Sequence, residues 1–304
     1  MPSRLKYLVS KGLATPALNG LEDMIQYESY VGSSVYGVTS DTSDLDVISF
    51  AIPQKDIVFP HLAGYINGFG DRPRVFETYQ QHHMVDTSAL GGDGREYDYT
   101  SYNIVKYFDL LMGGNPTLID SLFVPLKAIL FVTPIGQMVR DCRHLFLHKG
   151  CFHKFRGYSF QQLHKMRIKK PTDASKRKEM VDTYGYDLKF GLHVVRLLLQ
   201  CEQILVEGDL DLERNNKILK SIRNGEWKLE QIESYFRDNE QRLFKIYDDS
   251  KLPYAPPVDK IKLLLLNCLE THFGSLKDCI TTVDPAIEAL NSIQDILHKY
   301  NLRK

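Results

Sequence analysis

Apolar positions change their spacing once along this chain. Over roughly the first hundred residues they alternate or cluster in short runs between turn residues, the pattern of strands. Glu28 to Val31 is an extended run that ends at Gly32-Ser33-Ser34, and Asp44 to Ile52 (DLDVISFAI) alternates before Pro53. Arg74–Tyr79 and Arg95–Thr100 are weaker strand candidates. From Tyr102 the period lengthens, with Ile104, Tyr107, Phe108 and Leu111 at helical spacing. That helix should stop near Gly113-Gly114, and Asn115-Pro116 opens another through Leu122. Beyond about residue 133 the pattern is helical, over Pro134–Leu147, Phe155–Met166, Tyr186–Glu207, Leu212–Arg223, Lys228–Tyr247, Val258–Phe273 and Pro285–Tyr300. Lys169–Lys178 (KKPTDASKRK) and the stretch with Pro253, Pro256 and Pro257 are expected loops. The predicted class is α+β: a small α/β unit over residues 1–132, then an all-helical region over 133–304.

Composition narrows the setting. At 304 residues, 43% hydrophobic and 25% charged, the chain can bury a sizeable core without disulfides or metal staples. Lys plus Arg equals Asp plus Glu, 38 against 38, so attraction to nucleic acid or anionic lipid must be local. The densest basic run holds Lys165, Arg167, Lys169, Lys170, Lys176, Arg177 and Lys178 against one acid, Asp173. It is suited either to tracking a nucleic-acid backbone or to a solvated loop. Cys142, Cys151, Cys201, Cys268 and Cys279 form no C-x-x-C pair, which points to a reduced, intracellular protein. With no secretory pattern at the N-terminus and no apolar run near the ~20 residues of a membrane span, a cytoplasmic protein with no membrane partner is expected. His144, His148 and His153, among Cys142 and Cys151, match no standard zinc spacing.

The passage that carries chemistry is Val31 to Phe50 (VGSSVYGVTSDTSDLDVISF). On a strand, Asp44 and Asp46 point to one face while Leu45 and Val47 point to the other. Two carboxylates that close repel, and a divalent cation between them removes the cost; their hard oxygens favour Mg²⁺. Upstream, the backbone N–H groups at Gly32 and Ser33, with the Ser33 hydroxyl, are placed to cradle a phosphate. Further on, Lys189, His193 and Arg196 lie four and seven residues apart on one face of the helix predicted over Tyr186–Glu207, a basic stripe suited to a triphosphate or a pyrophosphate leaving group.

Gly32, Ser33, Tyr36, Gly37, Ser43, Asp44, Leu45 and Asp46 together resemble the core of the DNA polymerase β-like nucleotidyltransferase superfamily. The closer likeness is to its bacterial and phage branch, which runs G-S-R-A-Y-G, a short spacer, S-D-L-D and includes RNA-repair-associated members. The resemblance implies a mixed-sheet catalytic core and Mg²⁺-dependent transfer of a nucleoside monophosphate from an NTP to a hydroxyl, releasing pyrophosphate, with Mn²⁺ able to substitute. It implies Asp44 and Asp46 as metal-holding catalytic residues and a third carboxylate from a later strand before a helix. Asp98 stands there, with Glu96 of the same strand parity as the alternative. Gly32 and Ser33 would hold phosphates, and Lys189, His193 and Arg196 the leaving group, in line with the branch's similarly spaced lysine, histidine and arginine. The expected acceptor is RNA, a tRNA-like 3′ end; a protein or small-molecule hydroxyl is the alternative, as is a non-catalytic nucleotide- or RNA-binding module. Two departures stand out: Ser34 replaces the branch's usual arginine, so any contact of that arginine is lost or supplied elsewhere. Asp120 replaces its usual glutamate in the block Gly114-Asn115-Pro116 to Phe123, for which a structural role is expected.

Overall fold

The computed structural model describes residues 2–38, 44–66, 70, 76–168 and 176–276, and further on 289–290, 292–294 and 296–297. Ser43, Lys169, Lys170 and Asp173, the side chains of Lys176 and Arg177, and most of the helix predicted over Pro285–Tyr300 lie outside the described residues.

Ser3 caps the first helix, α1 (Arg4–Ser10), its hydroxyl accepting from the Lys6 N–H. Then come β1 (Ile25–Val31), β2 (Leu45–Ala51), a single turn α2 (Lys55–Val58), β3 (Thr78–Asp86) and β4 (Arg95–Asn103). Asn103 caps α3 (Ile104–Met112), and Asn115 caps α4 (Pro116–Phe123), whose proline fills a first-turn position where no N–H is needed. A short strand, β5 (Ile129–Val132), closes the sheet in the order β3-β4-β2-β1-β5. Only β2 and β4 run parallel; the other described pairs are antiparallel, so the sheet is mixed.

Seven helices follow: α5 (Pro134–Asp141), α6 (Cys151–Ile168), α7 (Lys176–Tyr184), α8 (Leu188–Glu207), α9 (Asn216–Arg223), α10 (Leu229–Asp249) and α11 (Val258–Phe273). Asp187 caps α8 at its start, and Gly208 ends it in the left-handed conformation (φ 65°). The protein is an α+β fold with a sheet-bearing N-terminal part and a helical C-terminal part, as the sequence pattern predicts.

Alternation on the strands sorts the sheet into two faces. Val47, Ala51, Tyr97 and Tyr99 pack under Leu5 and Leu8 of α1. Tyr27, Ile48 and Phe50 face the helices and join a single larger core that reaches Leu264 and Leu269 of α11. Asp46 shares parity with Ile48 and Phe50, and Asp98 with Thr100 and Tyr102, so both carboxylates point to the helical side.

Several elements depart from the expected pattern. Of the strand expected over Arg74–Tyr79, residues 74 and 75 lie outside the described residues, and β3 runs Thr78–Asp86; α1, α2, β5 and α7 were not signalled; and the helix expected over Pro134–Leu147 ends at Asp141, giving way to a 3₁₀ turn over Arg143–Phe146. Among the described residues no helix is long and apolar enough to cross a membrane.

Candidate active site

Strand register brings the acidic groups together. Val31 at the end of β1 stands opposite Asp46, and Asp46 stands opposite Asp98 across the parallel β2–β4 pair. Asp44 precedes β2 on the same parity. Gly32 then turns the chain in the left-handed region (φ 72°), and a Cβ there would stand 2.6 Å from Asp46 Oδ2. Only glycine satisfies both demands, so backbone and carboxylate are in direct contact at this point. The following 3₁₀ turn, Gly32–Ser34, closes with the Val35 N–H on the Gly32 carbonyl. Ser34 turns its hydroxyl back to donate to the Val31 carbonyl (3.1 Å).

A cleft of about 790 Å³ lies over this corner, between the sheet and the helices. Gly32, Ser33, Asp44, Asp46 and Asp98 line it from the sheet side, and Lys189, His193 and Arg196 line it from α8. The structure therefore brings all eight sequence-predicted residues to one cleft. Burial and the charges of Glu96 and Asp98 hold the Asp44 carboxyl above its ordinary range, while Lys189 and His83 oppose them. Asp46 is also raised, by burial first and then by Asp98 and Asp44, with Lys189 pulling the other way. Among the described residues neither carboxylate forms an ion pair, and their all-oxygen donors suit a hard divalent cation.

Asp98 is more engaged than its strand position alone indicates. A bulge in β3 between Gln81 and Met84 presents His82 and His83 to β4. The His83 N–H donates to Asp98 Oδ1 (2.8 Å), and His82 Nδ1 lies 3.1 Å from Asp98 Oδ2. His83 also bonds Glu96 through its ring. Among the described residues, the potential metal-holding groups whose ligand atoms all lie within 4.8 Å of one another are His83, Glu96 and Asp98. The sequence reading missed both histidines, because their strand was expected to end at Tyr79.

The basic stripe on α8 divides. Lys189 is exposed at the cleft. His193 is largely buried, its Nδ1 has no hydrogen-bond partner, and burial with the charges of Arg196, Lys189, Arg223 and Lys165 holds the ring well below its ordinary 6.5. Arg196, expected with Lys189 and His193 to meet the leaving group, lines the cleft and is also engaged inside the protein. Its side chain is only 9% exposed, its Nη1 lies 2.7 Å from Asp120 Oδ2 and donates to Tyr36 Oη (2.6 Å) and Gln200 Oε1 (3.0 Å), and its guanidinium stacks 4.5 Å from the Tyr36 ring centroid. Tyr36 in turn donates to Asp120 (2.5 Å). A buried carboxylate on α4 requires a cation, and Arg196 is that cation. Asp120, which burial pushes up and Arg196 pulls down, thus has the structural part expected for its block. The histidines among the cysteines are held otherwise: His144 faces Asp209 (3.0 Å) and His148 Nε2 bonds the Met112 carbonyl (3.0 Å).

Residues 17–228 match the model of a family described as the RNA repair pathway DNA polymerase beta family (RlaP). The chain belongs to this family. A nucleotidyltransferase-like protein from Exiguobacterium sibiricum, known from its crystal structure, is a structural neighbour at 13% sequence identity and a TM-score of 0.28, the match covering 87% of this chain and 72% of that one. No curated protein matches the chain. The family match spans the Gly32 turn, the carboxylates, α8 and α9 in one stretch, so every cleft-lining group named above falls within it. Membership in this RNA repair pathway family makes the chain a nucleotidyltransferase-like protein of the polymerase β type.

Proposed function

We propose that the protein is a divalent-metal-dependent nucleotidyltransferase that moves a nucleoside monophosphate from an NTP to a hydroxyl of RNA, a tRNA-like 3′ end, and releases pyrophosphate. The observation that carries this reading is the register of Asp46 against Asp98, with Asp44 two residues before and Gly32 in contact with Asp46. Asp44 and Asp46 would hold Mg²⁺, or Mn²⁺ in its place, and Asp98 would complete one site. A cation held there would neutralise triphosphate charge and acidify the attacking hydroxyl. Asp98, already flanked by His82 and His83, is the group to take the proton from that hydroxyl. The Gly32 and Ser33 N–H groups and the Ser33 hydroxyl would hold the β- and γ-phosphates. Lys189 and His193 meet the charge that develops on the leaving pyrophosphate, and Arg196 fixes the wall they stand on through Asp120 and Tyr36. In this reading residues 1–132 form the catalytic core, and 133–304 form a helical domain that contributes triphosphate and acceptor contacts.

RNA is favoured as acceptor by the family's pathway description and by the basic run that begins at Lys165. The test is transfer of label from NTPs radiolabelled at the α-phosphate, with protein alone and then with tRNA. Label that moves to tRNA only when a divalent cation is present supports the reading. NTP binding without transfer to any acceptor would assign the chain instead to a non-catalytic nucleotide-binding role on the same fold, and label on the protein itself would assign a protein hydroxyl as acceptor.

A further inference from the structure

Four cations from three helices depress the His193 ring, Lys165 of α6, Lys189 and Arg196 of α8, and Arg223 of α9, and the last three line its cleft. Arg196 is committed to Asp120. Lys165, Lys189 and Arg223 have no ion-pair partner among the described residues. Lys189 is drawn to Asp44 and Asp46, which leaves Arg223 and Lys165 as like charges that repel across His193, and an anion there removes that cost.

The seat has a second mark. His193 lines the cleft with a buried Nδ1 that has no hydrogen-bond partner among the described residues. A buried polar atom left unpaired costs free energy that a ligand can return. The neutral ring offers one donor and one acceptor without adding a fifth positive charge.

Arg223 enters from a direction the α8 stripe does not supply. It is the last residue of α9, half-buried, and lines the same cleft as Gly32 and Ser33. The other end of α9 is anchored beside the turn that follows them: a Cβ on Gly37 would lie 3.7 Å from Asn216 Cβ. The eight residues of α9 span about 10–12 Å, so the helix delivers a guanidinium from the Gly37 side of the turn into the cleft. The turn itself carries no cation, since position 34 is a serine bonded back to Val31.

We propose that Arg223, with His193 beside it and the charge of Lys165 added from α6, seats the terminal phosphates of a nucleoside triphosphate, so that α9 makes the cleft select a triphosphate over a monophosphate. The nature of the ligand rests on the nucleotidyl-transfer reading; the anion seat does not. A guanidinium binds phosphate oxygens through a planar fork, so lysine at 223 should restore the charge but only part of the affinity.

The experiment is calorimetric titration of the full chain with inorganic tripolyphosphate, ATP and AMP, for wild type, Arg223→Gln, Arg223→Lys, Lys165→Gln and the remote surface variant Lys262→Gln. Arg223→Gln should weaken tripolyphosphate and ATP by about tenfold or more, the scale of one charge-assisted contact, while AMP binding stays put. Arg223→Lys should fall between, Lys165→Gln should show a smaller loss, and Lys262→Gln none. Should Arg223→Gln fail to fold, the exposed Lys165→Gln carries the test. Equal tripolyphosphate affinity in wild type and both Gln variants, an equal loss for AMP, or no tripolyphosphate binding by wild type overturns the seat. An Arg223-dependent tripolyphosphate affinity in a protein that transfers no nucleotide keeps the seat and removes the transfer reading. Transfer with the same KM for NTP in wild type and Arg223→Gln does the reverse.

Discussion

At the scale of single residues, the pairing of Gly32 with Asp46 makes the sharpest demand on the sequence. Alanine at 32 meets two penalties, a left-handed backbone costing about 1–2 kcal/mol and a Cβ that displaces the carboxylate. A displacement of about 1 Å at a reacting centre costs about a hundredfold in rate. Gly32→Ala should therefore lower transfer by at least about that factor, whereas Gly12→Ala, also left-handed (φ 69°) but in open space, should share only the backbone cost and keep its activity. Comparing melting temperature and transfer rate for the two variants separates the effects. Arg196 yields a different expectation. Truncating it to Met leaves Asp120 buried and unpaired, which should cost about 3–5 kcal/mol in denaturant unfolding, and pairing it with Asp120→Leu should recover most of that loss. Additive losses in the double variant would deny the pairing. Sequence alone made Asp44, Asp46 and Gly32 legible, because strand parity and a turn are local properties. It put Arg196 on the cleft face but gave no sign of its pairing with Asp120, because helical spacing gives a face and not what covers it. The signal was present in Asp120, a carboxylate among Leu118, Ile119, Leu122 and Phe123 that needed a distant cation.

At the scale of elements, α8 and α11 were plain in the apolar period, and α11 was bounded to the residue. β3 was obscured because its polar run Gln80 to His83 sits on a sheet edge and its bulge breaks the two-residue period, so neither alternation nor an apolar run marks it. β5, four residues long on the opposite edge, and α1, seven residues long, are held by tertiary contact rather than by propensity. What an element buries also sets its pH response. His193 is neutral in the folded protein because burial and the cations of α6, α8 and α9 depress its pKa, whereas in the unfolded chain it titrates near 6.5. Below that value the unfolded state binds the extra proton. The stability that His193 confers is thus complete above pH 6.5 and lost as pH falls towards the folded value. Melting temperatures between about pH 7.5 and about pH 5 should fall less steeply on the acid side for His193→Gln than for wild type; parallel slopes would mean that the ring is not held neutral.

At the scale of the whole molecule, a net charge of zero leaves no long-range pull on nucleic acid, and one cleft sets the carboxylates of the sheet against cations of α8 and α9. One apolar core runs from the sheet into α11, so the carboxylates of the strands and the cations of the helices are held by the same packing. That arrangement explains why the sequence could supply both halves of the site, one by motif and one by helical spacing, but not the way Arg223 joins them: α9 reaches the cleft through tertiary packing, on α8 and beside Gly37. The account stands or falls on Asp46, which meets Gly32 on one side and Asp98 on the other. The deciding measurement is single-turnover transfer of α-phosphate label to tRNA by wild type and Asp46→Asn, with folding monitored by melting temperature. The account predicts a variant that melts as wild type does, or slightly higher once a repelled charge is gone, and that transfers no measurable label. A folded Asp46→Asn that keeps more than about a tenth of the wild-type rate would contradict it, since loss of a metal-bridging carboxylate should remove several kcal/mol of transition-state stabilisation.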